Sequence, residues 1–186
     1  MGKLIYAMNV SLDGFVETPD HSLDWGTVDE ELHLWFNEQA RAVAASIYGR
    51  RMYELLAAFW PTAADDPAAP PAIVEYAGIW RQTPKVVFSR SLESVDWNSR
   101  LVRGDVEAEY AALRDEFAGD MDIGGATLAA SFIRASLVDE FRLLVHPVVL
   151  GSGTPFWPSL DPPLPLRLAE TRTFESGVVY LGYAKT

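Results

Sequence analysis

The sequence predicts an α/β protein of the doubly wound kind, with a mostly parallel sheet flanked by helices and an antiparallel C-terminal hairpin. Three observations predict it. Short apolar segments rich in β-formers alternate with stretches of helical periodicity along the first three quarters of the chain. Two of these segments pass through glycine directly into a helix, at Gly49 and at Gly124-Gly125. Beyond Val138 strands follow one another with no room for helices between them.

The elements follow in order. "KLIYAMNV", residues 3–10, is short and apolar on both faces, as expected of a strand covered on both sides. "SLDGFVETPDHSLDWG" carries Gly14, Pro19 and Gly26 among polar residues and reads as a long loop. Thr27 and Glu30 form a capping box before Leu32, Trp35, Phe36 and Ala40, which recur at helical spacing and predict a helix to about Ala45. "SIYG" (46–49) is a buried strand, and "RRMYELLAAF" a helix opening past Gly49. The Pro-rich stretch 61–72 is a surface connection, followed by a short helix around Ile73 to Trp80. "KVVFS" (85–89) and "RLV" (100–102) are strands, and Asp105 to Gly119 is a helix with an Asp cap and a Gly stop. "MDIGG" and "ATLAASFIRASL" repeat the strand-Gly-helix pattern. "DEFRLLVHPVVLG" and the final "LRLAETRTFESGVVYLGYAKT", turning at Ser176-Gly177, supply the antiparallel strands. With 186 residues, no internal repeat and no linker, residues 1–186 are expected to form one domain.

Composition narrows the function classes. A net charge of -11 argues against a nucleic-acid footprint, which needs clustered Lys and Arg. No cysteine is present, so a thiol nucleophile, a thiolate metal site and a disulfide framework are all excluded. The three histidines, at 21, 33 and 146, lack metal-ligand spacing, and His146 before Pro147 is expected to be packed. No apolar run reaches the roughly 18 to 20 residues that span a bilayer. The N-terminal segment has no signal-length apolar core, and a cytoplasmic location is expected.

Three segments place phosphate-matched groups where strands lead into helices: Gly49 with Arg50 and Arg51, Ser89 with Arg90, and "IGGATL". Each taken singly is a turn or a solvated arginine. Jointly they put several anion sites on one sheet edge, and the planar fork of arginine suits an additional 2′-phosphate, which points to NADPH.

"SLDGFVE", "YGRRMYE", "VVFSRSLE", "DIGGATLAASF" and "LVDEFRLLVHPVVLGSGTPFW" occur in an order and at spacings that resemble the dihydrofolate reductase-like superfamily, and within it the RibD C-terminal domain type. The resemblance covers nearly the whole chain. It implies a dihydrofolate reductase-like fold, bound NADPH, hydride transfer to a small heterocyclic or imine-like substrate of the pterin or pyrimidine kind, and a homodimer. Carried over by position, it puts Gly49, Arg50 and Arg51 near the cofactor phosphates and Ser89 and Arg90 at the adenosine 2′-phosphate. Gly124, Gly125, Ala126 and Thr127 would wrap the pyrophosphate. Two positions depart from the family. Met52 stands where a threonine is usual, and Ile123 stands where riboflavin-pathway reductases place a glutamate.

On the substrate side, Asp13 resembles the family's substrate-side aspartate and is the catalytic candidate, although Asp-Gly is also a common turn pair. Trp25 reads either as a lid over the nicotinamide or as an anchoring aromatic. Dihydrofolate reductases bind pterin through an acid on the first helix. By resemblance that position is Leu32, flanked by Glu31 and His33, and a one-residue step on a helix turns a side chain by about 100°, so folate is not the preferred substrate. A non-catalytic NADPH-binding domain is the competing reading, favoured by Met52 and Ile123. A Ser-His-Asp hydrolase lacks its serine elbow.

Overall fold

A computed structural model of the chain describes residues 2–186. Eight strands form one sheet: β1 (Leu4–Ser11), β3 (Ala45–Gly49), β4 (Lys85–Phe88), β5 (Ser99–Val102), β6 (Met121–Gly124), β7 (Glu140–His146), β9 (Leu166–Thr173) and β10 (Val179–Lys185). Their spatial order is β5-β4-β3-β6-β1-β7-β10-β9. Neighbours are parallel from β5 to β7, and β10 runs antiparallel to both β7 and β9. The expected architecture is therefore present, with β1 and β6 at its centre.

Helices α1 (Glu30–Ala42), α2 (Arg50–Phe59), α3 (Pro71–Gln82), α4 (Val106–Glu116) and α5 (Ala126–Arg134) cover the sheet. Strand alternation divides the burden between its two faces. Met121 and Ile123 of β6, Tyr6 of β1 and Ile47 of β3 pack in one core with Tyr110 and Leu113 of α4 and Phe132 and Ile133 of α5. Ile5, Tyr48, Asp122 and Gly124 turn the other way, toward α1, α2 and α3, and there the filling is incomplete. A second cluster joins Leu32 and Trp35 of α1 to Leu144 of β7 and Tyr180 of β10.

Several expected boundaries move, each for a physical reason. The loop after β1 contains a short strand, β2 (Phe15–Glu17), antiparallel to β8 (Thr154–Pro155); its partner is so remote in sequence that no local periodicity announces it. Gly153 permits this pairing, since a Cβ there would lie 2.0 Å from the Glu17 carbonyl oxygen. Helix α1 is capped by Asp29, whose Oδ1 accepts from Leu32 N at 2.8 Å, and not by Thr27. It stops at Ala42 because Val43 is already extended. Helix α4 stops at Glu116, where Phe117 turns extended to pack on the core, ahead of the expected glycine stop. Proline at the first position starts α3 earlier than expected, at Pro71, and the helix continues past Trp80 to Gln82.

Among the described residues no helix is long and apolar enough to cross a membrane.

Phe132 is fully buried and meets Phe88 and Tyr110 edge-on, with ring centroids 5.5 and 5.9 Å away. Phe132→Ala should therefore cost about 3–5 kcal/mol of unfolding free energy, read as a lower urea midpoint at unchanged slope.

Candidate functional site

A continuous cleft opens beyond the carboxyl ends of β3 and β6, in two compartments that share Met8, Val16, Leu23, Met52 and Leu55. The outer one, about 690 Å³, is bounded by the starts of α2 and α5 and by the β2–β8 pair. Gly49, Arg50 and Arg51 come from α2, and Gly125, Ala126 and Thr127 from α5.

Both helices enter this compartment through glycine, and no side chain caps either one. By contrast α1 and α4 are capped by the carboxylates of Asp29 and Asp105, while α3 is entered through Pro70 without a side-chain cap. Helix starts present amides without intrahelical acceptors and a partial positive charge, so the two glycine entries leave room for an anion that an aspartate cap would repel. Gly125 has φ +98°, a conformation that L side chains rarely adopt. Gly124 is needed for a different reason, because a Cβ there would lie 3.1 Å from the Tyr48 ring.

The arginines are already partnered. Arg50 Nη1 donates to Glu54 Oε2 at 3.0 Å on the exposed side of α2. Arg51 forks onto Glu17, with Nη2 to Oε2 at 2.6 Å and Nη1 to Oε1 at 3.3 Å. Thr154 Oγ1 donates to the same Oε1 at 2.5 Å, and His21 Nδ1 stands 2.9 Å from it. Burial alone would raise the Glu17 carboxyl, but the hydrogen bonds from Arg51, Thr154 and His21 together with the Arg51 charge bring it down to about 2. Glu17 thus ties β2, β8 and α2 into one rim, a role that nothing in the local sequence signals.

Ser89 and Arg90 lie just past Phe88, which lines the outer compartment, but neither lines it. The buried Ser89 hydroxyl accepts from Ser91 N (3.2 Å) and Leu92 N (3.1 Å), so it shapes its own turn. Arg103 braces that turn by donating to the carbonyls of Ser89, Arg90 and Leu92.

Asp13 borders neither compartment. Exposed at the end of β1, it accepts from Ser11 Oγ at 2.7 Å, Leu150 N at 3.1 Å and Gly151 N at 2.7 Å. The Ser11 hydrogen bond and these amides hold its carboxyl below the ordinary range, and they fasten the turn to the loop before β8. Trp25 does reach the cleft, lining the inner compartment edge-on to His146, with centroids 5.4 Å apart. His146 itself is buried, with Nε2 at 3.1 Å from Asn9 Oδ1, and burial lowers its pKa.

The inner compartment, about 310 Å³, lies between the sheet and α1–α3. Tyr48, Trp60 and Tyr76 give it flat aromatic walls. Leu32 is fully buried in the core, while Glu31 points out to Arg172 (2.7 Å) and Glu175 N (3.0 Å), so neither position on α1 brings an acid here. A carboxyl comes instead from Asp122 on β6. The period of two in "MDIGG" was the available signal: if Ile123 faces the core, Asp122 faces the opposite side.

Comparison with known proteins agrees with this geometry. The chain is 32% identical over 182 residues to the uncharacterized protein YyaP of Bacillus subtilis (strain 168), covering 97% of this chain and 94% of that one. Its fold matches a putative riboflavin biosynthesis protein from Shewanella sp. PV-4 with TM-score 0.78 at 20% identity, over 100% and 99% of the two chains. Dihydrofolate reductase from Enterococcus faecalis, solved with NADP(H), matches with TM-score 0.66 at 16% identity, over 99% and 96%. The family model of the RibD C-terminal domain spans residues 2–180, and the chain belongs to that family.

Proposed function

We propose that this chain is an NADPH-dependent reductase that transfers a hydride to a small flat heterocycle of the pterin or pyrimidine kind. The observation that carries this reading is the pair of glycine-entered, uncapped helix starts facing one cleft, joined to an aromatic compartment of ring size. The Enterococcus relative with NADP(H) supports the choice of cofactor.

The residues fit the cofactor in kind. Amides at the starts of α2 and α5 would take phosphate oxygens, and Gly125 keeps the backbone bare where they approach. Arg50 and Arg51 add cationic donors at the same helix start, Arg51 held in place by Glu17. NADPH supplies the hydride when bound. Tyr48, Trp60 and Tyr76 orient a planar acceptor beside it and exclude water from the compartment.

NADPH titrated into the protein, followed by its fluorescence, should saturate. Arg50→Ala should weaken it about tenfold, the loss of one charge-assisted contact. Absence of saturation at millimolar NADPH in the wild-type protein overturns the reading.

The Glu17 network has its own consequence for stability. The folded pKa, about 2, lies below the ordinary value of 4.5, so the stabilisation is complete above pH 4.5 and is lost as pH falls toward 2. Acid unfolding of the wild type between these limits should consume on the order of 2–3 kcal/mol more than that of Glu17→Gln, compared by urea melts across the range.

A further inference from the structure

Hydride transfer to a C=N bond needs a proton at nitrogen, and the cleft offers two carboxyls for it, Glu17 and Asp122. Glu17 is ionised and fully engaged by Arg51, Thr154 and His21 at the rim. Asp122 stands in the inner compartment on β6, flanked in register by Ile5 of β1 and Ser46 of β3. Its Oδ1 is buried and has no hydrogen-bond partner among the described residues, an arrangement that costs free energy unless a ligand or a proton completes it.

The surroundings let the carboxyl hold its proton to higher pH than an ordinary aspartate. Titratable and charged groups lining the same compartment are Tyr48 on β3, Tyr76 on α3, His33 on α1 and Arg142 on β7. Arg142 is the one cation that would hold Asp122 ionised, but Nε donates to Glu140 at 2.7 Å and Nη1 to Gln39 at 2.5 Å. Burial therefore outweighs the Ser46 hydroxyl and the Arg142 charge, and it pushes the Asp122 carboxyl up to about 6.

We propose that Asp122 is the catalytic acid of this site, binding the N–H edge of a flat nitrogen heterocycle and giving its proton to the ring nitrogen next to the carbon that receives hydride. This rests on the reductase reading for its chemical step. The hydride adds to the carbon of a C=N bond and the π pair moves to nitrogen. There the new N–H bond forms as the Asp122 O–H bond breaks. NADPH leaves as NADP⁺, and the carboxylate regains a proton from water.

The test uses 2-aminobenzimidazole, a flat ring with adjacent nitrogen donors, titrated into the full chain while tryptophan fluorescence is followed, since Trp25 and Trp60 line the compartment. Saturable quenching is expected in the wild type, with Asp122→Asn at least tenfold weaker and NADPH affinity unchanged in that variant. Infrared spectra should show a protonated-carboxyl band that disappears as pH rises through about 6 and is missing in Asp122→Asn. In Ser46→Ala, which leaves the carboxyl in place, the same transition should move to higher pH. Wild-type protein that ignores the probe, an Asp122→Asn variant that binds it equally well, or a spectrum unaltered by that substitution each overturns the proposal. Failure of NADPH to bind, with probe and band as expected, overturns the reductase reading and the proton-transfer step while upholding Asp122 as the heterocycle anchor.

Discussion

Strand β6 meets two neighbours with opposite requirements, and the layout of the molecule depends on how four residues satisfy both. Toward α4 and α5 it must be apolar and fully packed, which Met121 and Ile123 provide with almost no exposed surface. Toward α1–α3 it must leave space, which Asp122 and Gly124 provide. Parallel pairing with β1 on one side and β3 on the other pins the register at Ile5, Asp122 and Ser46 and at Tyr6, Ile123 and Ile47. A slip of one residue would drive a carboxyl into the core and an isoleucine into the cleft, so core packing and site chemistry enforce the same alignment.

The same strand fixes the electrostatics of the cleft. In a chain of net charge -11, acids are the ordinary choice for capping a helix, and α1 and α4 use them. Where β3 and β6 end, glycine takes the place of an acid at both helix starts, and the stabilisation a side-chain cap would add over glycine, about a few tenths of a kcal/mol each, is forgone. A protein gives up such stability most readily where a bound group restores it. Arg51 follows the same logic from the other side, because Glu17 and the β2–β8 pair hold a guanidinium beside the opening of α2 that would otherwise sample many rotamers.

Much of this was legible in the residues themselves. Alternating strand and helix periodicities read as a doubly wound sheet, and the two glycine turns mark both helix starts of the outer compartment. What escaped had non-local causes. Strand β2 exists only because Thr154 and Pro155 come to meet it, and the Glu17 cluster joins positions 17, 21, 51 and 154. The α1 cap was misplaced by two residues because Thr27 and Asp29 both offer an acceptor, and only the path of the chain decides between them. Asp122 was passed over for a different reason. The resemblance points to the residue directly before the glycine pair, Ile123, whereas the strand period assigns that position to the core and its predecessor to the cleft.

The resemblance sets two acid positions, one on the first helix and one before the glycines, and leucine and isoleucine now occupy them, both buried. Loss of both would read as loss of chemistry if acids acted only from fixed sequence positions. The cavity supplies a third position, on the cleft face of β6, where desolvation raises the carboxyl pKa of an aspartate by more than the nearby Arg142 charge lowers it. Burying that group costs stability, since above about pH 6 the folded state carries an ionised carboxyl with an unpartnered oxygen, and stability falls as pH rises through that value. An asparagine would avoid the cost and still fill the space. A buried acid with an unpartnered oxygen at such a position is the physical argument that the inner compartment does more than complete the packing of α1–α3 against the sheet.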